Sequence, residues 1–240
     1  MATKPLLTQN SHMKAQGVWN WTLPAWVVKL PDGRAINVCP QARVCAKFCY
    51  ALEGAYRYPT VRAAHLRNLL MVLDTPLLWQ EQMAAELRHP RYAGRHIRIH
   101  DGGDFFDDSY LVMWLDIMRG APSGITFYAY TKEVSRFRRL VEPNPPHNFK
   151  WVYSLGGNED SLIDLDHERH ADVFPDEQAL MDAGYASQAA ADTLAVYGPP
   201  RVGMAANRRR VAQGDHSFGQ LQRIRDAQRA ARHQHQPAAD

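Results

Sequence analysis

Short apolar runs in this chain repeatedly end in glycine or polar residues and give way to helical spacing, and that alternation restricts the fold more than any other feature. RHIRIHDGG (95–103) precedes a helix with Asp107 or Asp108 as N-cap and Leu111, Trp114, Leu115 and Met118 on its buried face. ITFYAY (125–130) precedes a helix with Val134, Phe137 and Val141 on one side, and FKWVYSLGG (149–157) is another strand ending in glycines. Upstream, VWNWTL (18–23) has the β-branched and aromatic alternation of a strand. Leu66, Leu69, Leu70 and Leu73 recur at helical spacing, and Thr75 with Pro76 signals the N-cap and first turn of a helix carrying Trp79, Met83 and Leu87. TLAVYG (193–198) reads as a later strand and residues 218–231 as a final helix. Such alternation describes parallel βαβ units, whose right-handed crossovers build an open doubly wound sheet or a barrel.

Both architectures place their chemistry at the carboxyl ends of the strands. The chemically informative residues fall there: Cys39 to Cys49 after the first strand, His100 to Asp104 after the second, Thr131 and Lys132 after the third, Ser154 to Asp160 after the fourth. One mouth of one sheet would collect them.

With 240 residues, 45% of them hydrophobic, the chain can bury the core of one such domain. Residues 1–200 carry a formal charge of −2 and residues 201–240 one of +5, so the expected organisation is a single α/β domain followed by a basic extension that packs on it or trails from it. The first residues lack a secretory pattern and no run is apolar enough for a membrane span, which leads to the expectation of a cytoplasmic protein with no membrane partner.

All three cysteines lie within VCPQARVCAKFCYA (38–51), on a loop after the Pro31-Asp32-Gly33 turn. A reducing compartment and an odd count both argue against a disulfide framework. Three thiolates suit zinc or an iron–sulfur cluster and do not suit magnesium or calcium. Zinc would need a fourth ligand such as His12, His65 or His100, and spacings of five and three residues differ from the close cysteine pairs of zinc knuckles. A cluster fits better, with one iron left open because a fully protein-held cluster takes four cysteines. Inert thiols are the third alternative; three of them among Pro, Gln, Arg and Lys make poor core.

These residues carry a resemblance. A cysteine loop after the first strand, ending in Cys49-Tyr50, and a second strand ending in Gly102-Gly103-Asp104 resemble the radical S-adenosylmethionine (SAM) superfamily, with a cysteine spacing of five and three in place of three and two. More specifically, LLTQNSHMKAQGVWNWTLPA, CPQARVCAKFCYALEG, RNLL, IHDGGDFFDDSYLVMW and FYAYTK resemble the phage and mobile-element family named after mycobacteriophage gene product eighty-eight, over about residues 6 to 160. The resemblance implies a partial (β/α) TIM-like barrel like the radical SAM core, with a [4Fe-4S] cluster on Cys39, Cys45 and Cys49 and SAM chelated by the open iron. It also implies Tyr50, His100, Gly102, Gly103 and Asp104 as cofactor-binding residues, with Asp104 in place of a glutamate that meets the SAM amine.

Each candidate has a plainer reading. Glycines make a tight strand-to-helix turn and aspartates cap helices; His65 on an apolar helix is a packing histidine. An anionic cluster calls for a nearby cation, and Lys132, emerging from a buried-looking strand, is the favoured one among Lys47, Arg62, Asn68 and itself. In the tail, Arg208, Arg209 and Arg210 with Arg223, Arg225, Arg229 and Arg232 of the final helix supply the charge for nucleic-acid phosphates, or form a solvated face. The sequence thus leads to an iron–sulfur protein of radical SAM type, if catalytic acting on an unidentified substrate. Its rivals are a non-enzymatic redox- or oxygen-sensing accessory factor that binds nucleic acid or protein, and a structural zinc protein.

Overall fold

A computed structural model describes residues 4–206 and 215–234. Arg208, Arg209 and Arg210 lie outside the described residues. The elements are α1 (Ser11–Ala15), β1 (Val18–Trp21), β2 (Val27–Lys29), β3 (Ala35–Asn37), α2 (Val44–Lys47), α3 (Pro59–Asp74), α4 (Pro76–Leu87) and β4 (His96–Ile99). They continue with α5 (Asp108–Gly120), β5 (Thr126–Thr131), α6 (Val134–Leu140), β6 (Phe149–Ser154), β7 (His170–Phe174), α7 (Glu177–Asp182), β8 (Ala186–Ser187), α8 (Leu194–Tyr197), β9 (Arg201–Ala205) and α9 (Phe218–Gln234).

Seven strands form one wholly parallel sheet in the order β1-β4-β5-β6-β7-β9-β8, curled into half a barrel. From β1 to β7 each sheet strand is laid beside the one before it, the usual placing of consecutive strands. Residues 201–205, which composition assigns to the head of the basic extension, form β9 and lie between β7 and β8. The β2–β3 hairpin stands apart.

Alternate residues of each strand face opposite sides of the sheet. Trp21, Ile97, Ile99, Phe127, Ala129 and Phe149 pack the main core with α3 to α6. There Trp21, Trp79 and Trp114 meet in tilted and edge-on pairs with ring centroids 5.3 to 6.5 Å apart. Val18, Tyr128, Val152 and Val202 form a smaller cluster on the other face with Met13 of α1 and Ala195 of α8. Asp107 caps α5, accepting from Ser109 N at 2.8 Å and Tyr110 N at 3.3 Å.

Two local expectations need correction. TLAVYG is a strand by β-propensity, but residues 194–197 form the short helix α8, because they cover the smaller core rather than join a ladder. Thr75 occupies the N-cap of α4 without capping it; its hydroxyl donates back to the Met71 carbonyl at 3.2 Å, closing the end of α3. Among the described residues no helix is long and apolar enough to cross a membrane.

Candidate functional site

The carboxyl ends of β4, β5 and β6 converge beneath the cysteine loop and hold it from several sides. Asp104 N donates to Val38 O at 2.7 Å, where the chain enters the loop. Glu133, just past β5, accepts from Gln41 N at 3.2 Å. Gly156, just past β6, accepts from Arg43 N and Cys45 N, each at 3.1 Å. A Cβ on Gly157 would lie 2.8 Å from Gln41 O, so only glycine allows the strand end this close.

A cavity of about 800 Å³ opens at this mouth. Cys39, Cys45 and Cys49 all border it, as do Tyr50, His100, Gly102, Gly103, Asp104 and Lys132, so the strand ends bring these candidates to one space, while Lys47, Arg62, Asn68 and His65 are not part of its wall. The cysteines are half-buried, unpaired and within electrostatic reach of one another. Burial, then the charge of Asp104, pushes the Cys39 thiol well above its usual range; burial, then the charge of Cys45, moves Cys49 up to about 11. Among the described residues no three His, Cys, Asp or Glu side chains converge closely enough to hold a single metal ion.

Lys132 is buried at the cavity wall, where its ammonium donates to Ser154 Oγ at 2.7 Å and to Ser154 O at 3.2 Å. Burial alone would lower its pKa, but the charges of Cys45, Asp160 and Asp104 hold it above the usual value. The Ser154–Lys132 pair is therefore a cation bound to a hydroxyl, not a serine beside a neutral lysine base.

Asp104 is buried, and its two oxygens are occupied from within the protein. Oδ1 accepts from Phe105 N at 2.8 Å and from Thr131 Oγ1 at 2.7 Å, while Oδ2 accepts from Lys132 N at 2.9 Å. Burial pushes its pKa up despite these donors. Gly103 has φ +81°, and a Cβ there would stand 2.7 Å from Leu23 Cβ; on Gly102 it would stand 3.1 Å from Ala51 Cβ. The glycine pair lets the end of β4 pass against the chain leaving β1. His100 takes a left-handed φ of 69°, and its ring lies among Phe105 and Tyr110, with Nε2 2.8 Å from the Tyr110 hydroxyl. Tyr50 donates its hydroxyl hydrogen to Asp101 O. Outside the cavity wall, His65 packs against Tyr56.

Sequence reasoning missed the inner wall of this cavity. Arg98 pairs there with Asp101 at 3.2 Å and with Asp192 at 2.7 Å; Gln188 and Tyr128 also donate to Asp192. Arg98 lies over the ring of Tyr130, whose buried hydroxyl has no hydrogen-bond partner among the described residues. A charged residue between Ile97 and Ile99 was the one available signal, since an arginine in an apolar strand must find a buried partner. Asp192, in an unpatterned segment, gave none.

Fold and site together define a parallel α/β half-barrel with a cysteine-lined mouth. The chain belongs to the family described as Gene product 88, whose model matches residues 2–234. It is similar to the "Gene 88 protein" of Mycobacterium phage L5 and to that of Mycobacterium phage D29, at 34% identity over 113 residues in each comparison. Those residues are 44% of this chain and 46% of each relative, so the alignment spans about half the length of the curated relatives. No solved structure matches the chain.

Proposed function

We propose that the mouth holds a [4Fe-4S] cluster on Cys39, Cys45 and Cys49, and that SAM occupies the cavity beside it. The observation that carries this reading is the presence of three soft thiols and a buried ammonium around one cavity at the carboxyl ends of parallel strands. The donor set fits the group, because a cubane takes each thiolate on a different iron and does not need all three sulfurs around one point. When bound, such a cluster supplies the electron that cleaves SAM reductively and starts radical chemistry on a substrate.

The chain's own part is to bind and orient. Lys132 would offset the charge of the thiolates, as cations and donors around a metal site do. The Tyr130 hydroxyl is a buried polar group free to bond a ligand, and Arg98 is locked between two carboxylates so that it fixes the Tyr130 ring from one side. Gly102, Gly103 and Tyr50 shape the approach, and Asp104 holds the strand ends in place. The bound ammonium of SAM would have to share Asp104 with three internal donors.

That sharing favours a second reading, in which the cluster is kept without SAM turnover and the protein is a redox- or oxygen-sensing accessory factor. Anaerobic reconstitution followed by calorimetry with SAM and a SAM-cleavage assay separates the two. Binding and cleavage carry the first; a loaded protein that ignores SAM carries the second. A structural zinc site draws no comparable support, since it needs its ligands around one ion.

A further inference from the structure

The root of α9 is built into the cysteine loop. Phe218 borders the same cavity and stacks on Phe48, between Cys45 and Cys49, with ring centroids 5.5 Å apart and planes at 29°. Gln222 Oε1 accepts from Val44 N at 3.3 Å, next to Cys45. Asp172 of β7 accepts from Gly219 N at 3.0 Å and fixes the start of the helix against the sheet.

Beyond this root the helix leaves the body. It has 17 residues, about 25 Å at 1.5 Å per residue, and every residue from Asp226 to Arg232 is exposed. At 3.6 residues per turn, Arg225, Arg229 and Arg232 continue the face that Phe218 and Gln222 press onto the loop; Asp226 stands at the edge of that face, accepting from Gln222 Nε2 at 3.0 Å, and Arg223 points elsewhere. None of the three arginines has an ion-pair partner among the described residues. Lys47 and Arg43 are exposed on the loop that this face meets. A row of guanidinium groups without an ion-pair partner among the described residues, set along a projecting helix, complements a regularly charged polyanion.

We propose that nucleic acid binds along this face through its phosphodiester backbone, and that the Phe218–Phe48 stack couples this binding to access at the cysteine site. It rests on the reading above only in taking the cysteines as the centre of the site. Nucleic acid held along Arg225, Arg229 and Arg232 presses the α9 root onto the loop, and closes the mouth over the thiols. By linkage, whatever occupies the cysteine site alters the grip on nucleic acid.

The test uses the full chain, metal-free, with a short duplex and a single-stranded oligonucleotide. The wild type should bind at least one of them with strong salt dependence, and Arg225→Gln, Arg229→Gln and Arg232→Gln combined should reduce the log–log salt slope by about three. Bound oligonucleotide should also slow iodoacetamide alkylation of Cys45 several-fold. Phe218→Ala should keep the salt slope and lose that protection. No binding to either oligonucleotide, an unchanged slope in the triple variant, or equal displacement by polyglutamate overturns the nucleic-acid assignment; binding that leaves alkylation unchanged overturns the coupling. None of these readouts needs iron, so a protein that fails to take up a cluster sinks the cofactor reading and leaves this one to be decided.

Discussion

Asp104 and Lys132 meet through the backbone: the Lys132 N–H donates to the Asp104 carboxylate at 2.9 Å, while the Lys132 ammonium turns away to Ser154 Oγ at 2.7 Å. One residue thereby bolts the end of β4 to the end of β5, and the other keeps its charge at the cavity. The two contributions separate by mutation.

Asp104→Ala orphans Phe105 N, Lys132 N and the Thr131 hydroxyl in a buried place. Each buried donor left unpaired costs about 1–3 kcal/mol, so the variant should lose about 3 kcal/mol or more. Urea unfolding measures this. A loss within about 0.5 kcal/mol, the range of ordinary surface substitutions, would show that Asp104 does not hold the strand ends.

Lys132→Met keeps most of the side chain's length and removes the charge. The variant should fold with wild-type secondary structure yet retain less iron after anaerobic reconstitution, because the thiolates lose their buried counter-charge. Circular dichroism and iron analysis of the same sample make the comparison. Full iron retention would take Lys132 out of the site.

His100 supplies a pH test. Burial lowers its pKa from 6.5 to about 3, so the folded protein excludes the charged ring. Its contribution to stability is complete above about pH 6.5 and is lost as pH falls from there towards about 3. Asparagine tolerates the left-handed backbone at this position. His100→Asn should therefore be less stable than wild type at pH 8, by about 1–2 kcal/mol for the lost Tyr110 contact, with a shallower loss on acidification. Parallel acid slopes in the two proteins would contradict the buried neutral imidazole.

Much of this arrangement was legible in the chain. The strands at His96–Ile99 and Thr126–Thr131 announced themselves by ending in glycine or polar residues before a patterned helix, Phe149–Ser154 by the glycines that follow it, and Val18–Trp21 by its β-branched and aromatic alternation. From parallel strands alone it followed that Cys39, Asp104 and Lys132 would meet. The later part of the sheet was hidden: β7 and β9 carry histidine, aspartate, arginine and glycine where propensity looks for β-branched residues, and their place is set by pairing with neighbours. The fate of Asp104 was hidden too, since a carboxylate that bolts two strands and one that faces a ligand look alike in sequence. The clamp of Phe218 on Phe48 joins residues 170 positions apart, which no local pattern encodes.

Iron and sulfide content of the anaerobically purified protein tests the central claim most directly. A brown protein with about four irons and four sulfides per chain, which loses most of both when Cys39, Cys45 or Cys49 is replaced by Ala, is the result this account predicts. A colourless protein with stoichiometric zinc, or iron content indifferent to the three cysteines, would contradict it.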